Sequence, residues 1–575
     1  MYLNSNEIYS YLNGSRLTIQ MLKNLGYTIP ITSMKVINKN ITTEIGWEVP
    51  IIVDIDSIDA DYILPSYTVD DETIVKVQAG VIRPLKVGTT SVTVTSPDGR
   101  FTDIVNVNVT TPSVRETITE AETYTVIPED YNISIDGTNA TETTAGINTM
   151  LQEASANGYK KVVFPMGTYL IDYTIPIQMV SNMTLDLGGA TFQQQASTGE
   201  RIVLLNVGEG VTNCRITNGN IVGDRDNRET TDNQESIHGI NLNACSHVEI
   251  DNLNINKFLG YGVALGGNVR KAMCFIFKNN LIETSTNEWE TVDYIDISSV
   301  RTQFEICNPF GYGGWGGIKK DTATIDIVFY NANKEELSTI TKIKPFRICD
   351  KPNNAKYVHL KIHNTTLGNG DPDFGNSIAY ICDYDYSDYI HIHDCNFSYC
   401  KSLGIAYCGT GYHNRIVNCT FSNNGGANAT RDIDLEDGWE SMRNLLIKGC
   451  TFNSRLSIVL CAGSDIVLVE NTINGQLDIS YRTVNIRLVE NNINGKVDID
   501  VEWYGGGLFM EGNICTNNLV VFKNERAKEK ANKIYSNYDT YNNSRIVNNS
   551  IYQEMDLRNC TLIGNCTFSG KVVTV

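Results

Sequence analysis

A short motif that recurs along the second half of the chain places the strongest constraint on the fold. Its copies start 20 to 31 residues apart: IHDCNF (392–397), IVNCTF (416–421), IKGCTF (447–452), LVENTI (468–473), LVENNI (488–493) and FMEGNI (509–514). Repeats of about 20 residues with short β-rich segments are typical of a parallel β-solenoid, in which stacked strands lie ~4.8 Å apart. Similar segments occur at 183–192, 211–221 and 248–258. Leucine-rich repeats are the rival architecture, but the chain shows no LxxLxL register.

A second short strand follows each motif and alternates apolar side chains with others. Successive side chains of a strand face opposite sides. We therefore expect Ile433 and Leu435 to fill the solenoid, with their equivalents in the other coils. The outward position between them reads, coil by coil, Ala379, Ala406, Asp434, Val459, Asp478 and Asp498. The pattern predicts an acidic stripe that begins abruptly at Asp434.

The repeats do not extend over the whole chain, so we expect several modules. We predict a docking segment (1–32), a β-sandwich (33–110), a linker (111–130), the first part of the solenoid with a capping helix (131–283), an inserted β-sandwich (284–362), and the second part of the solenoid with C-terminal coils (363–575). In the insert, Tyr312, Trp315 and Tyr330 are either a sugar-stacking platform or core aromatics.

The charge balance excludes some classes of partner. The chain has 66 acidic against 46 basic residues, a net charge of −20, which argues against nucleic acid and against binding to anionic membranes by charge. The sequence has no apolar run long enough for a transmembrane helix, and its start lacks the features of a secretory signal. Several of the 15 cysteines recur at one place in the repeat without Cys-x-x-Cys pairs, which favours reduced core thiols over disulfides or zinc.

Several segments are similar to one family. YNISIDGTNATETTAGINTMLQEASANGYKKVVFPMGTYLID (131–172) resembles the entry to pectate-lyase-like right-handed β-helices, which is common in bacteriophage tail spikes. GVIRPLKVGTTSVTV looks like a bacterial immunoglobulin-like module of the Big2 type. GDRDNRETTDNQESIHGI (223–240) and IDLEDGWESM (433–442) resemble segments of Gram-positive phage appendage spikes of the pre-neck type. The resemblance covers about 130–575 and part of 33–110.

This resemblance implies an all-β fold: a right-handed, pectate-lyase-like parallel β-helix with an N-terminal immunoglobulin-like β-sandwich and an inserted β-sandwich. It also implies a homotrimer in the virion, attached to other phage tail proteins through its N-terminus. Its implied activity is degradation of a host surface glycopolymer, often wall teichoic acid, outside the bacterium. One departure is that no long C-terminal trimerising or self-cleaving chaperone domain follows GKVVTV.

The segment RDIDLEDGWE (431–440) is the first candidate site. Asp434 and Glu436 are two strand residues apart, ~6.7 Å between their Cα atoms, close to the separation that inverting glycosidases use. We assign Glu436 as general acid and Asp434 as base, with Asp437 or Asp432 modulating them and Trp439 stacking on a sugar. The alternative is an ordinary solvated face of the solenoid.

Metal binding is a further interpretation of the same segment. The hard carboxylate oxygens of Asp432 and Asp434 suit Ca²⁺, which would offset the charge of a phosphodiester polymer. No calcium-loop spacing is present, so the sequence commits to no cofactor.

The loop after NGNIV is the second candidate site, with Asp224, Arg225, Asp226, Arg228, Glu235 and His238. Arginine is the natural bidentate partner of phosphate or carboxylate, and the alternative is an Asp–Arg pair that braces the loop. We place this loop about four coils, ~20 Å, from Asp434. We assign further substrate contacts to Tyr384, Tyr412, His413, Tyr481 and Arg482, and interpret His391 and His393 as outward polar residues.

The leading functional hypothesis is a phage tail spike that cleaves a bacterial surface glycopolymer. A non-enzymatic adhesin is the second hypothesis, because a fold does not determine a function. A calcium-dependent polysaccharide lyase with Arg482 as base is the third.

Overall fold

The computed structural model describes residues 31–573 with gaps at 58–64, 97, 113–116, 198, 200–201, 229–234, 267–269, 301–302, 308–322, 344–347, 369–376, 385–386, 409–410, 426–430, 436–442, 485, 501–507, 517–518, 522–543, 548–549, 552–554, 557–559, 564–566 and 569–571. Residues 1–30 of the predicted docking segment lie outside the described residues. No helix in the described part has the length and apolar character needed to cross a membrane.

The N-terminal domain is the predicted β-sandwich. Its strands are β1 (Ile31–Val36), β2 (Asn40–Glu44), β3 (Val49–Pro50), β4 (Val53–Ser57), β5 (Ser66–Val69), β6 (Val75–Gln78), β7 (Val81–Pro84), β8 (Gly88–Thr95) and β9 (Thr102–Thr110). They form sheets β2-β9-β8-β5, β3-β7-β6 and β1-β4 around a valine-rich core that includes Val92, Val105 and Val107.

The first part of the solenoid starts earlier than predicted, inside the expected linker. Its strands are β10 (Thr123–Thr125), β11 (Lys161–Val163), β12 (Thr168–Ile171), β13 (Ile177–Gln178), β14 (Thr184–Asp186), β15 (Thr191–Gln194), β16 (Ile202–Val207), β17 (Thr212–Val222), β18 (Ile237–Asn243), β19 (Ser246–Asn256) and β20 (Tyr261–Gly266). Because β10 pairs in parallel with β11, it already belongs to the solenoid.

Helix α1 (Ala140–Ala156) is the predicted cap. The residues at helical spacing, Ile147, Met150, Leu151 and Ala154, are buried in the core of the solenoid. Gly158 follows with a φ of 81°, a left-handed conformation that suits glycine and ends the helix. The amphipathic pattern therefore predicted both the helix and the face that it buries.

The inserted domain is wider than predicted. Its strands are β21 (Arg270–Phe277), β22 (Leu281–Ser285), β23 (Glu288–Thr291), β24 (Ile295–Asp296), β25 (Gln303–Cys307), β26 (Thr324–Tyr330), β27 (Glu336–Ile343), β28 (Ile348–Asp350), β29 (Tyr357–His363) and β30 (Ser377–Tyr384). We expected SIAYI, within β30, to be a solenoid strand, and this is wrong because β30 pairs antiparallel with β21 and β25. A buried strand of a sandwich has the same apolar alternation as a solenoid strand, so the pattern alone does not reveal its partner.

The second part of the solenoid continues with β31 (Ser387–His393), β32 (Asn396–Ser398), β33 (Leu403–Tyr407), β34 (Gly411–Val417), β35 (Thr420–Ser422), β36 (Arg431–Leu435), β37 (Arg443–Lys448), β38 (Thr451–Phe452), β39 (Leu456–Ser464), β40 (Val467–Val469), β41 (Thr472–Ile473), β42 (Gln476–Val484), β43 (Ile486–Val489), β44 (Asn492–Ile493), β45 (Val497–Asp500), β46 (Leu508–Glu511), β47 (Ile514–Cys515), β48 (Leu519–Val521), β49 (Ser544–Val547), β50 (Ser550–Ile551), β51 (Met555–Asp556), β52 (Cys560–Ile563), β53 (Thr567–Phe568) and β54 (Val572–Val573).

Each strand of the solenoid pairs in parallel with its equivalent one coil on, which gives three long parallel sheets. The first sheet contains β14, β31, β34, β37 and β40, together with the first halves of β17 and β19. The third sheet contains β16, β18, β20, β33, β36, β39, β42 and β45. The predicted parallel β-helix is confirmed.

The repeated motif corresponds to a corner of the coil. One residue of each copy has a left-handed backbone, as Asp394, Asn418 and Glu490 do with φ between 51° and 53°. The next residue points inward and is buried, and in successive coils it is Cys395, Cys419, Cys450, Asn471, Asn491 and Asn513. The asparagines of this ladder bond coil to coil, since Asn471 N donates to Asn491 Oδ1 at 2.9 Å. Asparagine tolerates the left-handed region, which accounts for part of its abundance at the other corner positions.

The interior of the solenoid is built from stacked columns. Phe397, Phe421 and Phe452 stack with ring centroids 4.9 Å apart, and Ile433 and Leu435 lie in the same core, as predicted. The nine cysteines whose side chains the structure describes are thiols, and seven of them are buried, which agrees with the expectation of core thiols.

Candidate functional site

The outward surface of the third sheet, here called the site face, contains the predicted acidic stripe. One column of outward residues runs Asn206, Asn241, Ala264, Ala406, Asp434, Val459 and Asp478, and the backbone register continues it to Asp498. A parallel column runs Val203, His238, Tyr261, Leu403 and Arg431. Charge on the first column begins at Asp434, as predicted. The coil before Ala406 contributes Ala264 to this column rather than the predicted Ala379, because Ala379 lies in the insert.

The part of the site face before Asp434 is sheltered. Tyr261, Ala264, Leu403 and Ala406 point outward yet are at most 5% exposed, and they form a small apolar cluster with Cys408. Outward residues of a solvated solenoid face would be exposed. This floor is therefore covered, and Asp434, 9% exposed, lies at its edge.

A second acid and a basic residue lie close to Asp434. Asp478 occupies the same column two coils on, so the two Cα positions are about 10 Å apart at the usual strand spacing. Arg431 Nη2 lies 3.5 Å from Asp478 Oδ2, and Gln476 Nε2 donates to Asp478 Oδ1 at 2.5 Å. Two acids in one column and a guanidinium paired with the second of them thus lie at the end of the apolar floor.

Three predicted residues of the segment lie outside the described residues: Glu436, Asp437 and Trp439. The assignment of Glu436 as acid and Asp434 as base stays a prediction. Asp434 itself is placed on the outward column.

Asp432 was expected to share the outward face with Asp434, and this is wrong. Asp432 is fully buried, and its carboxylate accepts hydrogen bonds from Asn424 Nδ2 at 2.9 Å, Ser454 N at 3.2 Å and the Ser454 hydroxyl. Burial raises its pKa to about 7. With its oxygens already bonded, Asp432 offers no free ligand to an ion on the site face, which weighs against the calcium hypothesis.

The strand position of Asp432 explains the error. The register pairs it with Gly404, which follows Gly262 and Gly239 in the coils before. A Cβ on any of these glycines would lie 2.6–2.7 Å from the carbonyl oxygen of the next coil. The position is therefore an inward corner of the coil, where simple alternation does not hold.

The second predicted cluster lies at the other end of the site face. His238 is outward on β18 and stacks on Tyr261, with ring centroids 4.9 Å apart. Burial lowers the pKa of His238 to about 4, so it is neutral at pH 7. Three coil steps, about 14 Å, separate it from the coil of Asp434. The estimate of four coils was one too many because the insert supplied the extra one.

Asp224 and Arg228 form a buried ion pair next to this end. Arg228 Nε donates to Asp224 Oδ2 at 2.5 Å, and both side chains are at most 1% exposed. Among the described residues, Asp224 Oδ1 and Arg228 Nη2 have no hydrogen-bond partner. Burial raises the pKa of Asp224 despite the arginine. This geometry favours the bracing interpretation for the pair itself.

The other predicted residues of this loop are on the surface. Arg225 donates to the Tyr399 carbonyl, Asp226 pairs with Lys257 at 2.7 Å, and Glu235 is exposed. Their assigned contact with substrate stays a prediction.

Three predicted substrate contacts are not on the site face. Tyr412 and His413 lie on β34 of the first sheet, and Tyr384 ends strand β30 of the insert. His413 stacks on Tyr389 with centroids 4.7 Å apart, and burial lowers its pKa to about 4. The segment that contains Tyr412 and His413 is the next strand of the coil. Tyr481 and Arg482 belong to β42, although their side chains lie outside the described part.

The first sheet carries a cluster that sequence reasoning missed: Arg215, Glu249, Asp251, His391 and His393. Arg215 binds Asp251 through Nε at 2.7 Å and Nη2 at 2.6 Å, and His393 Nε2 lies 3.1 Å from Glu249. Burial lowers the pKa of His393, but hydrogen bonds to Glu249 and Asp394 outweigh burial and raise it overall. The signal was the matching alternation of HVEID (247–251) and YIHIH (389–393).

This cluster is an ion-pair network. Atoms of Glu249, Asp251 and His393 lie within 4.8 Å of one another, a spacing that suits a metal ion. Arg215 nevertheless engages both oxygens of Asp251, and a guanidinium there opposes a cation. We therefore assign the cluster to bracing the coils.

The fold defines the class of protein: a parallel β-helix with an N-terminal and an inserted β-sandwich. A sequence profile of the hyaluronate lyase N-terminal β-sheet domain matches residues 58–109. The chain is 30% identical over 153 residues to the uncharacterized protein YclG of Bacillus subtilis (strain 168), a match that spans 23% of this chain and 25% of that relative.

Solved structures with a similar fold come from different sources. The A-module of the mannuronan C-5 epimerase AlgE6 of Azotobacter vinelandii aligns with a TM-score of 0.39 and 11% identity, over 79% of this chain and 99% of that one. The pre-mature gene product 12 of bacteriophage phi29 aligns with a TM-score of 0.37 and 12% identity, over 77% of this chain and 52% of that one. Similarity at this level concerns the fold alone.

Proposed function

We propose that this protein is a bacteriophage tail spike or appendage that binds and hydrolyses a bacterial surface glycopolymer, such as wall teichoic acid, with outward carboxylates of its β-helix. The observation that supports this most is the position of Asp434. It is the first charged residue of its column beyond an apolar outward floor that is sheltered from solvent; Arg431 lies on the same strand, and Asp478, which Arg431 approaches to 3.5 Å, lies two coils on. A chain of sugars lying across the coils would meet these groups together.

The chemistry follows from the spacing of the carboxylates. Inverting glycosidases hold two carboxyl groups ~6.5–9.5 Å apart with a water between them. Asp434 has two candidate partners: Glu436, which follows it by two residues in the sequence, and Asp478, whose Cα lies about 10 Å away two coils on. We assign Asp434 as the base that activates water and its partner as the acid that protonates the leaving oxygen.

Residues around the acids would hold the polymer. Arg431 provides a cation for a phosphate or carboxylate of the substrate, which a chain of net charge −20 needs locally. The assignment of His238 as a substrate contact stays a prediction, because its stacked partner Tyr261 is only 5% exposed.

The phage assignment rests on the sequence resemblance. On that basis we propose that the protein is a homotrimer in the virion, that its N-terminal segment attaches it to other tail proteins, and that it acts outside the host bacterium. Neither nucleic acid nor membrane insertion is part of this proposal.

The test is to incubate the protein with purified wall glycopolymer and to size the products by gel filtration. We expect the polymer to shorten with wild type and to stay long with Asp434→Asn. Asp130→Asn, which changes an exposed acid near the capping helix, is the matched control and should leave cleavage unchanged. Polymer that stays long with wild type while host cells bind the protein would instead support the adhesin.

The same experiment addresses a polysaccharide lyase. A lyase leaves an unsaturated sugar that absorbs in the ultraviolet, whereas a hydrolase does not. Products that absorb in the ultraviolet would contradict the hydrolase proposal and support the lyase hypothesis, with Arg482 as the candidate base.

A further inference from the structure

The inserted domain emerges at the site face. It leaves the third sheet after Gly266, the last residue of β20, and the chain returns at Ser387, whose hydroxyl donates to the Gly266 carbonyl at 2.8 Å. The strand that it follows contains Tyr261 and Ala264 of the apolar floor. The insert is thus anchored beside the site face.

The larger sheet of the insert has one buried and one outward face. It contains β22, β23, β24, β26, β27 and β29. On β29 the inward residues Val358, Leu360 and Ile362 are fully buried in the domain core. The alternate residues Tyr357, His359, Lys361 and His363 therefore lie on the outward face.

One end of this outward face is aromatic. Tyr330 pairs across the sheet with Tyr357, and Tyr294 packs against both, with centroids 4.9 Å from Tyr330 and 6.1 Å from Tyr357. His359 lies 6.1 Å from Tyr294. Tyr294 is 38% exposed, and none of the four rings belongs to the core of the domain. Tyr330 is thus a surface aromatic rather than a core one.

Two lysines border the aromatic end. Lys334 Nζ lies 4.7 Å from the ring centroid of Tyr294, and Lys356 Nζ lies 5.2 Å from that of Tyr357. An adjoining open depression of about 560 Å³ is lined by Lys351 and Lys356 with the amides of Asn331, Asn333, Asn353 and Asn354. Aromatic rings, amides and ammonium groups together are what an anionic sugar needs: apolar ring faces, hydroxyl partners and counter-charge.

We propose that this surface of the insert, Tyr294, Tyr330, Tyr357, Lys334 and Lys356, is a binding site for an anionic glycan. The sugar rings pack on the tyrosines, and the phosphate or carboxylate groups of the polymer pair with the lysines. The proposal rests on the proposed function, since it names a second contact for the same polymer. The insert would then hold the polymer while the site face cleaves it.

The test measures binding in the full chain with Asp434→Asn, so that the polymer stays intact. The probes are purified glycosylated poly(glycerol phosphate) teichoic acid and the polyuronate alginate, which distinguish phosphate from carboxylate as the recognised anion. We expect Tyr294→Ala with Tyr357→Ala to weaken binding about tenfold, from two lost aromatic contacts. Tyr173→Ala, an equally exposed tyrosine (38%) outside the insert, should bind as the parent does.

The lysines provide a second measurement. Lys334→Gln with Lys356→Gln should weaken binding at low salt and reduce its salt dependence, since screened ion pairs are lost. Near-ultraviolet circular dichroism checks that each variant is folded, and Tyr294→Phe with Tyr357→Phe should keep most of the affinity if ring faces carry it. Parent protein that binds neither polymer, or Ala variants that bind as well as Tyr173→Ala, would overturn the proposal.

The two proposals fail in different ways. Tyrosine-dependent binding without any shortening of polymer by wild type would refute hydrolysis and keep the binding site. Normal shortening by wild type with binding that does not depend on the tyrosines would refute this site and keep the hydrolase.

Discussion

Asp432 and Asp434 lie two residues apart on one strand but in different environments. Asp434 belongs to the outward column of the site face, whereas Asp432 is buried at an inward corner with Asn424 and Ser454 as partners. Desolvation favours the neutral form of a buried carboxyl, which is why the Asp432 pKa rises to about 7. Asp432 looks equivalent to Asp434 in the sequence, but it therefore has a structural role.

This difference predicts a pH dependence of stability. The folded state binds a proton at Asp432 up to about pH 7, while an unfolded aspartate loses it near its ordinary pKa of 3.8. Wild type should thus lose stability as pH rises from about 4 to about 7, by about 4 kcal/mol from this group. Asp432→Asn mimics the neutral form, so it should gain on wild type by that amount over the same range in guanidinium denaturation. A difference that stays constant with pH would contradict the raised pKa.

At the scale of the element, the corner ladder holds successive coils together. Asn491 accepts from Asn471 N at 2.9 Å and donates to the Leu468 carbonyl at 2.8 Å, and it is 1% exposed. A buried backbone group without a partner is costly. The ladder therefore stabilises the corner through satisfied backbone groups rather than through apolar area.

We predict that Asn491→Ala lowers the unfolding free energy of the solenoid by roughly 3 kcal/mol, since two buried backbone groups lose their partner. The measurement is chemical denaturation followed by circular dichroism. Asn474→Ala is the control, because Asn474 bonds to its neighbours on the exposed side of the coil, and it should change stability by less than about 1 kcal/mol. Equal effects of the two changes would show that burial of the ladder is unimportant.

The sequence was sufficient to predict the elements that repeat. It was not sufficient for strands whose pairing partner lies far away in the sequence. The step of about 20 residues and the apolar alternation were sufficient for the coils, and the helical spacing at Ile147 was sufficient for the cap. Strand β30 has the same alternation, but its pairing with β21 is set by contacts about 100 residues away in sequence, which local pattern does not contain. The outward acids Asp434 and Asp478 were predicted because alternation holds within a strand, and Asp432 was not because it lies at a corner.

The cluster on the first sheet shows the same limit. His393 and Glu249 are 144 residues apart in sequence and meet because the whole insert lies between consecutive coils. Their residue types were visible in the sequence, but the register that joins them depends on where the insert ends.

At the scale of the molecule, the N-terminal domain packs on the solenoid. Val81 joins Leu446, Val467, Val469 and Val489 of the solenoid in one apolar cluster. Arg487, 3% exposed, donates to the carbonyls of Ala79 and Ile51 at 3.0 and 3.1 Å. Arg83 pairs with Glu470 and Glu490, and Lys448 Nζ lies 2.5 Å from Glu48. Charged and apolar contacts together fix the domain against the coils.

We predict that Arg487→Met loosens this interface, because two carbonyls lose their donor and Asp465, 3.9 Å away, loses a cation. Hydrogen exchange followed by mass spectrometry should show faster exchange in the N-terminal domain around β7. Arg100→Met, which removes an exposed pair with Asp98 inside a hairpin of the same domain, should leave β7 unchanged. Unchanged exchange in Arg487→Met would mean that the apolar cluster alone holds the interface.

We propose that this solenoid cuts a glycopolymer by adding water at Asp434. The most direct measurement is mass spectrometry of products formed from purified wall glycopolymer in water enriched in oxygen-18. We expect one heavy oxygen for each cleaved bond, on one of its two new ends, with wild type, and no products with Asp434→Asn. Products without heavy oxygen, or labelled products that form equally well with Asp434→Asn, would contradict it.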